Sequence, residues 1–495
     1  MNRGSMDEQR VTGEQSITVI GSGYLGATHA VCMAELGCRV LAVDVDTAKV
    51  ARLAGGTAPF FEPGLEPLLR KNLETGRLRF TTSYDEVAEF GDVHFLCVNT
   101  PQRGDGYAAD LSYLDAAVAA LAPRLRRDCL VVGKSTVPVG TAAALAGRLA
   151  RLAPVGEGAE LAWNPEFLRE GFGVEDSLRP DRLVFGVTSL AAETRLRRVF
   201  APIIDAGAPV IVTDYATAEL VKVAANSFLA TKISFINAMA EVCEATGADV
   251  LTLAAALGQD PRIGSRFLRP GVGFGGGCLP KDIRAFVARA DELGVGRALS
   301  FLREVDTINL RRRTRVVDLV RAAAGASLDG CPIAVLGTAF KPNSDDVRDS
   351  PALDVAATLH RLGAAVTVYD PAANDNARRV HPELGYADSV PAAVAGADAV
   401  VVLTEWAQFA ELGPVELAGL VRRRAVVDAR HCLDRDRWRD AGWDYRAPGR
   451  PAALPWAPPA VPAQRAAQPH SPSQRHSQPK VPPRLAAGLA TDQSF

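Results

Sequence analysis

The chain lacks any run of the roughly 18–20 apolar residues needed to cross a bilayer, which excludes a helical membrane span. Its first residues, MNRGSMDEQRVTGEQ, lack the apolar core of a secretory signal. An excess of one charge is also missing, since 55 Lys and Arg stand against 57 Asp and Glu. That leaves no electrostatic footprint for nucleic acid or for an anionic membrane surface. Cysteine is sparse: eight residues, at 32, 38, 97, 129, 243, 278, 331 and 432, form no C-x-x-C pair and no Cys/His set at metal-ligand spacing. A disulfide framework and a metal site are therefore not expected. Scattered single thiols fit a reducing compartment, so a cytoplasmic location is expected. Seven of the eight fit the ordinary role of a small buried hydrophobe. Cys278 stands apart, in GVGFGGGCLPKD.

What is present is an ordinary globular composition, 48% hydrophobic over 495 residues, enough for two or three domains. Residues 1–15 read as a disordered tail. So do residues 448–495, which hold 11 of the 32 prolines and cannot bury enough apolar area to offset their ordering entropy. Between the tails one pattern occurs twice. SITVIG, a helical stretch and RVLAVDVD form strand, tight turn, helix, strand and acidic residue; PIAVLG, a helical stretch and AVTVYDP repeat the order. VHFLCVNT, LVVGKST, AELAWNP and RLVFGV follow the first unit, and DAVVVLTEW and AVVDAR the second. Short, fully apolar strands alternating with helices predict parallel sheets covered on both faces. Residues 215–246, almost free of Gly and Pro, predict one long, largely buried helix joining the halves and offering a dimer surface. The expected fold class is α/β: two Rossmann-like, doubly wound parallel-sheet domains (16–213 and 326–447) joined by a central helical region (214–325).

Gly21-Ser22-Gly23-Tyr24-Leu25-Gly26 is G-x-G-x-x-G directly after a strand and opening a helix. Gly21 suits the tight turn, Gly23 lets a pyrophosphate approach the backbone, and Gly26 lets helix and strand pack closely. The helix N-terminus supplies N–H groups to the phosphates. Asp44, eighteen residues after Gly26, suits the adenosine ribose hydroxyls and repels a 2′-phosphate, favouring NAD over NADP. The second turn, GTAFKP, has one glycine and Lys341, and suits a different nucleotide, with Lys341 as a point charge.

Several polar residues stand in apolar settings. Lys222 and Asn226 share a helix face at i, i+4 spacing; a surface Glu219–Lys222 pair is the plainer alternative. Glu166 and Glu170, in WNPEFLREG, follow a strand end, where ligands bind in open sheets, or simply complement a helix dipole. Ser135 and Thr136 end another strand, with an N-cap as the alternative. Pro280 marks a helix start, which puts Cys278 beside a helix N-terminus and Lys281, two features that lower a thiol pKa; a structural cysteine is the alternative. Asp282 lies four residues on, placed to orient a water or accept a proton. An NAD site with an activated thiol suits aldehyde oxidation through a thiohemiacetal and a thioester.

GSGYLG, PFFEPGLEPLL, STVPVGT, NPEFLREG, AELVKVAANSFLATKISFIN and GFGGGCLPKD, in this order, resemble the UDP-glucose/GDP-mannose dehydrogenase family, with AFKPNSDDVRDSP and VLTEW extending the match to residues 16–446. The resemblance implies that Cys278 is the nucleophile and that Lys222, Asn226 and Asp282 steady an alkoxide and a water. Thr136 and Glu166 fall around the reacting carbon, Glu166 in hydrolysis. Glu170 falls beside the nicotinamide, Asp44 and Lys49 on the adenosine side, and Arg348 on an NAD contact from the second domain, with Thr100 and Lys281 also on the cofactor side. Phe167, Leu168, Phe267, Arg269, Gly275, Phe340, Lys341 and Arg430 fall on the sugar nucleotide. Arg262 matches an arginine reaching a neighbouring subunit's site, implying at least a dimer. The implied reaction oxidises C6 of UDP-glucose twice, using two NAD and one water and giving UDP-glucuronate, with residues 326–447 holding the UDP-sugar. STVPVGT and PFFEPGLEPLL look like the UDP-glucose branch; the same chemistry on GDP-mannose, a one-step alcohol dehydrogenase and a non-catalytic regulator are the rivals. The loop after VNTP is long, Gly277 stands where Ser is frequent, and the C-terminal tail lies outside the pattern.

Overall fold

A computed structural model describes residues 15–325 and 327–451. Most of the expected tails, residues 1–14 and 452–495, lie outside the described residues. The first sheet has eight strands in the order Leu78–Thr81, Arg39–Val43, Ser16–Ile20, Val93–Leu96, Cys129–Gly133, Ala159–Trp163, Leu183–Gly186 and Val210–Thr213. Ser16–Ile20 is central, and the chain winds outward from it in both directions. The crevice beside its C-terminal end is thus a topological switch point, where ligands bind in open α/β sheets. Alternate residues feed opposite cores: Ile17, Val19 and Phe95 pack on one face, Ile20 and Leu96 on the other. That two-sided burial explains the unbroken apolar runs.

One pairing is antiparallel, between Trp163 and Gly186. The connection there carries only the short helix Gly173–Leu178 and devotes its other residues to the NPEFLREG loop, so no full crossover helix turns the chain back.

The second sheet runs Gly385–Tyr386, Ala365–Tyr369, Pro332–Leu336, Ala399–Val402, Ala425–Asp428 and Asp444–Arg446, all parallel, with its first strand again central. Between the sheets, residues Tyr215–Thr246 form one helix of about 48 Å at 1.5 Å per residue. Asp214 caps it by accepting from Thr217 N at 2.8 Å, and Gly247 ends it in the left-handed region at φ 77°. Helices Leu279–Glu292 and Ser300–Ala324 pack against it.

Composition places residues 448–451 in the tail, but they pack on the central helices. Gly449 N donates to Glu244 at 2.7 Å, Val250 N to Gly449 O at 3.1 Å, and Arg450 Nε to Asp249 at 2.9 Å. A charged side chain and two backbone bonds hold a segment whose composition alone argued for disorder.

Candidate active site

The glycine-rich turn fits a dinucleotide. Gly21 has φ 92°, and a Cβ on Gly26 would lie 1.8 Å from the Gly21 carbonyl oxygen, so neither position accepts a side chain. Helix Tyr24–Glu35 begins at Gly23 without a side-chain cap, and the nearest atom to a Cβ on Gly23 would be 3.7 Å away. Uncapped N–H groups beside this open space are the cradle that a pyrophosphate needs. Asp44 accepts from Ser22 N at 2.7 Å, Asp46 N at 3.0 Å and Lys49 Nζ at 3.0 Å. Burial opposes its charge, but these donors outweigh burial and hold its pKa below the ordinary aspartate value. Lys49 thus meets Asp44. The Tyr24 hydroxyl bonds Glu62, while Leu25 packs on the core.

Glu62, in PFFEPGLEPLL, carries no local sequence signal of its role. Buried at 6% exposure, it also accepts from Gly171 N and Gly173 N, each at 2.7 Å. It therefore ties the first helix of the glycine-rich turn to the loop bearing Glu166 and Glu170.

The long helix brings Lys222 and Asn226 to the start of helix Leu279–Glu292. Asn226 Nδ2 donates to Asp282 at 2.7 Å, and Lys281 Nζ pairs with the other Asp282 oxygen at 2.6 Å. The Glu219–Lys222 alternative does not form. Glu219 instead accepts from Gly140 N and Ala142 N, at 2.8 and 2.6 Å. Lys222 makes no hydrogen bond or ion pair among the described residues, and its Nζ lies 5.5 Å from the Phe167 ring centre. Thr100 donates to the Thr136 carbonyl at 2.7 Å. Thr100, Thr136, Val223, Lys281, Asp282 and Phe286 line one small cleft.

Cys278 is the N-cap of helix Leu279–Glu292, and Pro280 stands in the first turn, as the sequence implied. Its side chain is exposed. The expected lowering of its pKa is not found. Protein crowded around the sulfur pushes the pKa up, Asp282 and then Glu170 add to this, and Lys222 and Lys281 only partly oppose them. Lys281 is largely neutralised by its own pairing with Asp282. These surroundings favour the neutral thiol over the thiolate.

The glycines before Cys278 make room for protein. A Cβ on Gly275 would lie 2.2 Å from Asp349 O, one on Gly276 2.7 Å from the Phe340 ring, and one on Gly277 2.5 Å from the Arg348 guanidinium. The second domain presses its 338–350 segment onto this loop. Asn309, missed from sequence, holds the loop from the other side through Phe274 N (2.8 Å) and Phe274 O (2.9 Å). Arg430, expected at the substrate, donates to Leu403 O at 2.8 Å, Gly273 O at 3.0 Å and Phe340 O at 3.2 Å and pairs with Glu405 at 3.3 Å.

That pressed segment delivers Lys341 and Arg348. Arg348 pairs with Asp346 at 2.6 Å and Glu170 at 3.4 Å, and Ser344 Oγ donates to Glu170 at 3.3 Å. Burial and then Asp346 push the Glu170 pKa up to about 7, against Arg348, Lys341 and Ser344. Burial lowers the pKa of Lys341, against the nearby Glu170 and Cys278. Glu166 accepts from Phe167 N at 2.8 Å and Leu168 N at 3.0 Å, and pairs with the buried Lys134 at 2.9 Å. Arg269 donates to His431 O at 3.3 Å, and Phe267 holds φ 65°. Arg262 is 83% exposed and, among the described residues, pairs with Asp260 and with none of these groups.

A dinucleotide cradle on one sheet, facing a thiol, a lysine and buried carboxylates at the junction with a second sheet, defines a dinucleotide-dependent oxidoreductase. Profiles of the UDP-glucose/GDP-mannose dehydrogenase family match its NAD binding domain over residues 15–204, its central domain over 216–311 and its UDP binding domain over 334–435. A UDP-glucose 6-dehydrogenase of Bacillus subtilis is 40% identical over 441 residues, covering 89% of this chain and 99% of the relative. One from Rhizobium meliloti is 42% identical over 438 residues, covering 88% and 99%. Among solved structures, a UDP-glucose dehydrogenase from Pyrobaculum islandicum matches with TM-score 0.81 at 38% identity, covering 89% of this chain and 99% of that one. A UDP-D-ManNAc dehydrogenase from Pyrococcus horikoshii matches with TM-score 0.77 at 28% identity, covering 88% and 99%. The chain belongs to the UDP-glucose/GDP-mannose dehydrogenase family, and its first domain is an NAD-binding one.

Proposed function

We propose that the protein oxidises C6 of UDP-glucose twice, consuming two NAD and one water and releasing UDP-glucuronate. The observation that carries this is the placement of Cys278, exposed at a helix start, within electrostatic reach of Lys222, Asp282 and Lys341. Bound in the cradle of Gly21, Gly23 and Asp44, NAD supplies the hydride acceptor for both oxidations. Lys222 holds the C6 oxygen as it becomes an alkoxide, and Asp282, fixed by Asn226, takes the proton through a water. The Cys278 thiol then adds to the aldehyde carbon, losing its proton as the C–S bond forms, which its raised pKa requires. Loss of the second hydride leaves a thioester. Glu166 receives a proton from the water that cleaves it.

The sugar nucleotide occupies the second domain's side of the cleft, near Phe340, Lys341 and Arg269. UDP-glucose as substrate is supported by the match to a UDP binding domain and by relatives bearing that name. A homodimer completes the site. Leu220, Phe228, Phe235 and Val242 are exposed apolar residues along the long helix, and Arg262 is exposed. We place the protein in the cytoplasm, where its free cysteines stay reduced. Among the described residues no helix is long and apolar enough to cross a membrane.

The measurement is NADH yield across a panel of sugar nucleotides. Two NADH per UDP-glucose, with little from GDP-mannose, is expected. A preference for GDP-mannose, or one NADH per sugar, overturns the proposal.

A further inference from the structure

Glu166 lies between two lysines of different character. Lys222 is half-buried, within electrostatic reach of Cys278. Lys134 is only 4% exposed, one residue past the strand Cys129–Gly133. A buried ammonium costs several kcal/mol unless it is paired and hydrogen-bonded. Lys134 meets that demand with two partners, Glu166 Oε2 and Asn164 Oδ1, each at 2.9 Å. Asn164 is itself pinned, donating to Val184 O at 3.0 Å, and Lys134 N donates to Leu96 O at 3.0 Å. His29, buried with an unpartnered Nε2, also feels Lys134: burial and then the Lys134 charge hold its pKa well below the usual histidine value. The other titratable groups facing Glu166 are Lys222 and the buried thiols of Cys32 and Cys97.

A carboxylate offers about four acceptor positions. Phe167 N and Leu168 N take two on Oε1, and Lys134 takes one on Oε2. One remains, on a side chain that is 20% exposed. We infer that Lys134 is a positioning residue for thioester hydrolysis, fixing Glu166 so that its single free acceptor position meets the attacking water. This rests on the hydrolytic role given to Glu166 above. In that step the C–O bond forms and the C–S bond breaks, with no change of oxidation state. One water proton passes to Glu166. The thiolate that leaves regains a proton as the new carboxylic acid ionises. Burial opposes the Glu166 charge, but Lys134, the two N–H groups and Lys222 together hold its pKa below the ordinary glutamate value.

The test compares full-length Lys134→Met, Glu166→Gln and the double variant, each turning over UDP-glucose with NAD. Intact mass reports acyl groups on Cys278, and Tm reports folding. Both single variants are expected to accumulate the acylated enzyme, with release slowed about 10²-fold. A merely structural loss does not trap this species. The double variant releases product no more slowly than Glu166→Gln, because Lys134 acts through that carboxylate. Its Tm exceeds that of Lys134→Met, since no uncompensated buried charge remains. If Glu166→Gln traps no acyl-enzyme, the hydrolytic role of Glu166 fails. If Glu166→Gln traps it and Lys134→Met does not, or the two losses add in the double variant, the role of Lys134 fails. Should Lys134→Met not fold, the double variant decides alone: release slower than in Glu166→Gln overturns the inference.

Discussion

The two sheet domains begin alike and diverge within a few residues. Each has a first glycine in the left-handed region, Gly21 at φ 92° and Gly337 at φ 97°, and each has a buried aspartate ending the second strand, Asp44 and Asp370. In the first domain the helix starts at Tyr24, and its free N-terminus faces the crevice. In the second the helix is delayed to Pro351, and its N-cap Ser350 accepts from Leu353 N at 3.3 Å. The intervening segment 338–350 crosses to the Cys278 loop instead. Asp370 is also fully engaged: Thr338 N at 2.8 Å, Ala339 N at 3.0 Å and Trp406 Nε1 at 3.2 Å on one oxygen, Ala372 N and Ala373 N at 2.9 Å on the other. Asp44 has a partner that can swing away, since the Lys49 side chain is 28% exposed. The same turn therefore builds a cofactor cradle or a docking arm, depending on where the helix starts and whether the aspartate is occupied.

The largest expected effect tests what the arm covers. Cys278→Ser should lower glucuronate formation by at least about 10³-fold while UDP-glucose still binds, read by product mass and calorimetry. Unchanged acid production would falsify the thioester route. Next, Gly26→Ala should abolish NAD binding and lower Tm, because its methyl would meet the Gly21 carbonyl oxygen at 1.8 Å. Gly337→Ala, whose methyl would meet Thr404 at 2.4 Å, should lower Tm with NAD affinity retained in the folded fraction. Equal losses of NAD affinity in both would erase the contrast.

The aspartates should separate more gently. Asp370→Asn should cost about 1–3 kcal/mol of stability, through donors left unpaired, with NAD affinity unchanged. Asp44→Asn should keep most stability and weaken discrimination against NADP, seen in the two Kd values.

The smallest effect is in pH. The Glu170 pKa is near 4.3 in an unfolded chain and about 7 here. A raised acid pKa contributes stability that is complete below the unfolded value and lost as pH rises through the folded one. Glu170→Gln should therefore gain Tm relative to the parent between about pH 5 and pH 8. A gain only toward acid would reverse the assignment.

Local pattern made much of this legible. The long helix, Pro280 at a helix start and the first glycine-rich turn each follow from residues within one or two turns of each other. Lys134, in LVVGKST, is a lysine just past an apolar strand, and its partners Asn164 and Glu166 lie on a distant stretch of chain. Glu62, Asn309 and the carbonyl contacts of Arg430 were not legible: their partners lie 109, 35 and 157 residues away. The Cys278 thiol misled for the same reason. The adjacent Lys281 predicts a thiolate, but that charge is already committed to Asp282, and burial and Glu170 come from distant chain.

By itself the sequence determined the alternation of strands and helices, the NAD-type turn and the residue types of the reacting centre, because these depend on local backbone preference and on periodicity. The tertiary structure alone decided that the glycines before Cys278 receive the second domain, that Arg430 crosslinks carbonyls and that Glu166 is gripped by Lys134. Burial and long-range pairing set those outcomes, and neither is encoded in the spacing of neighbouring residues.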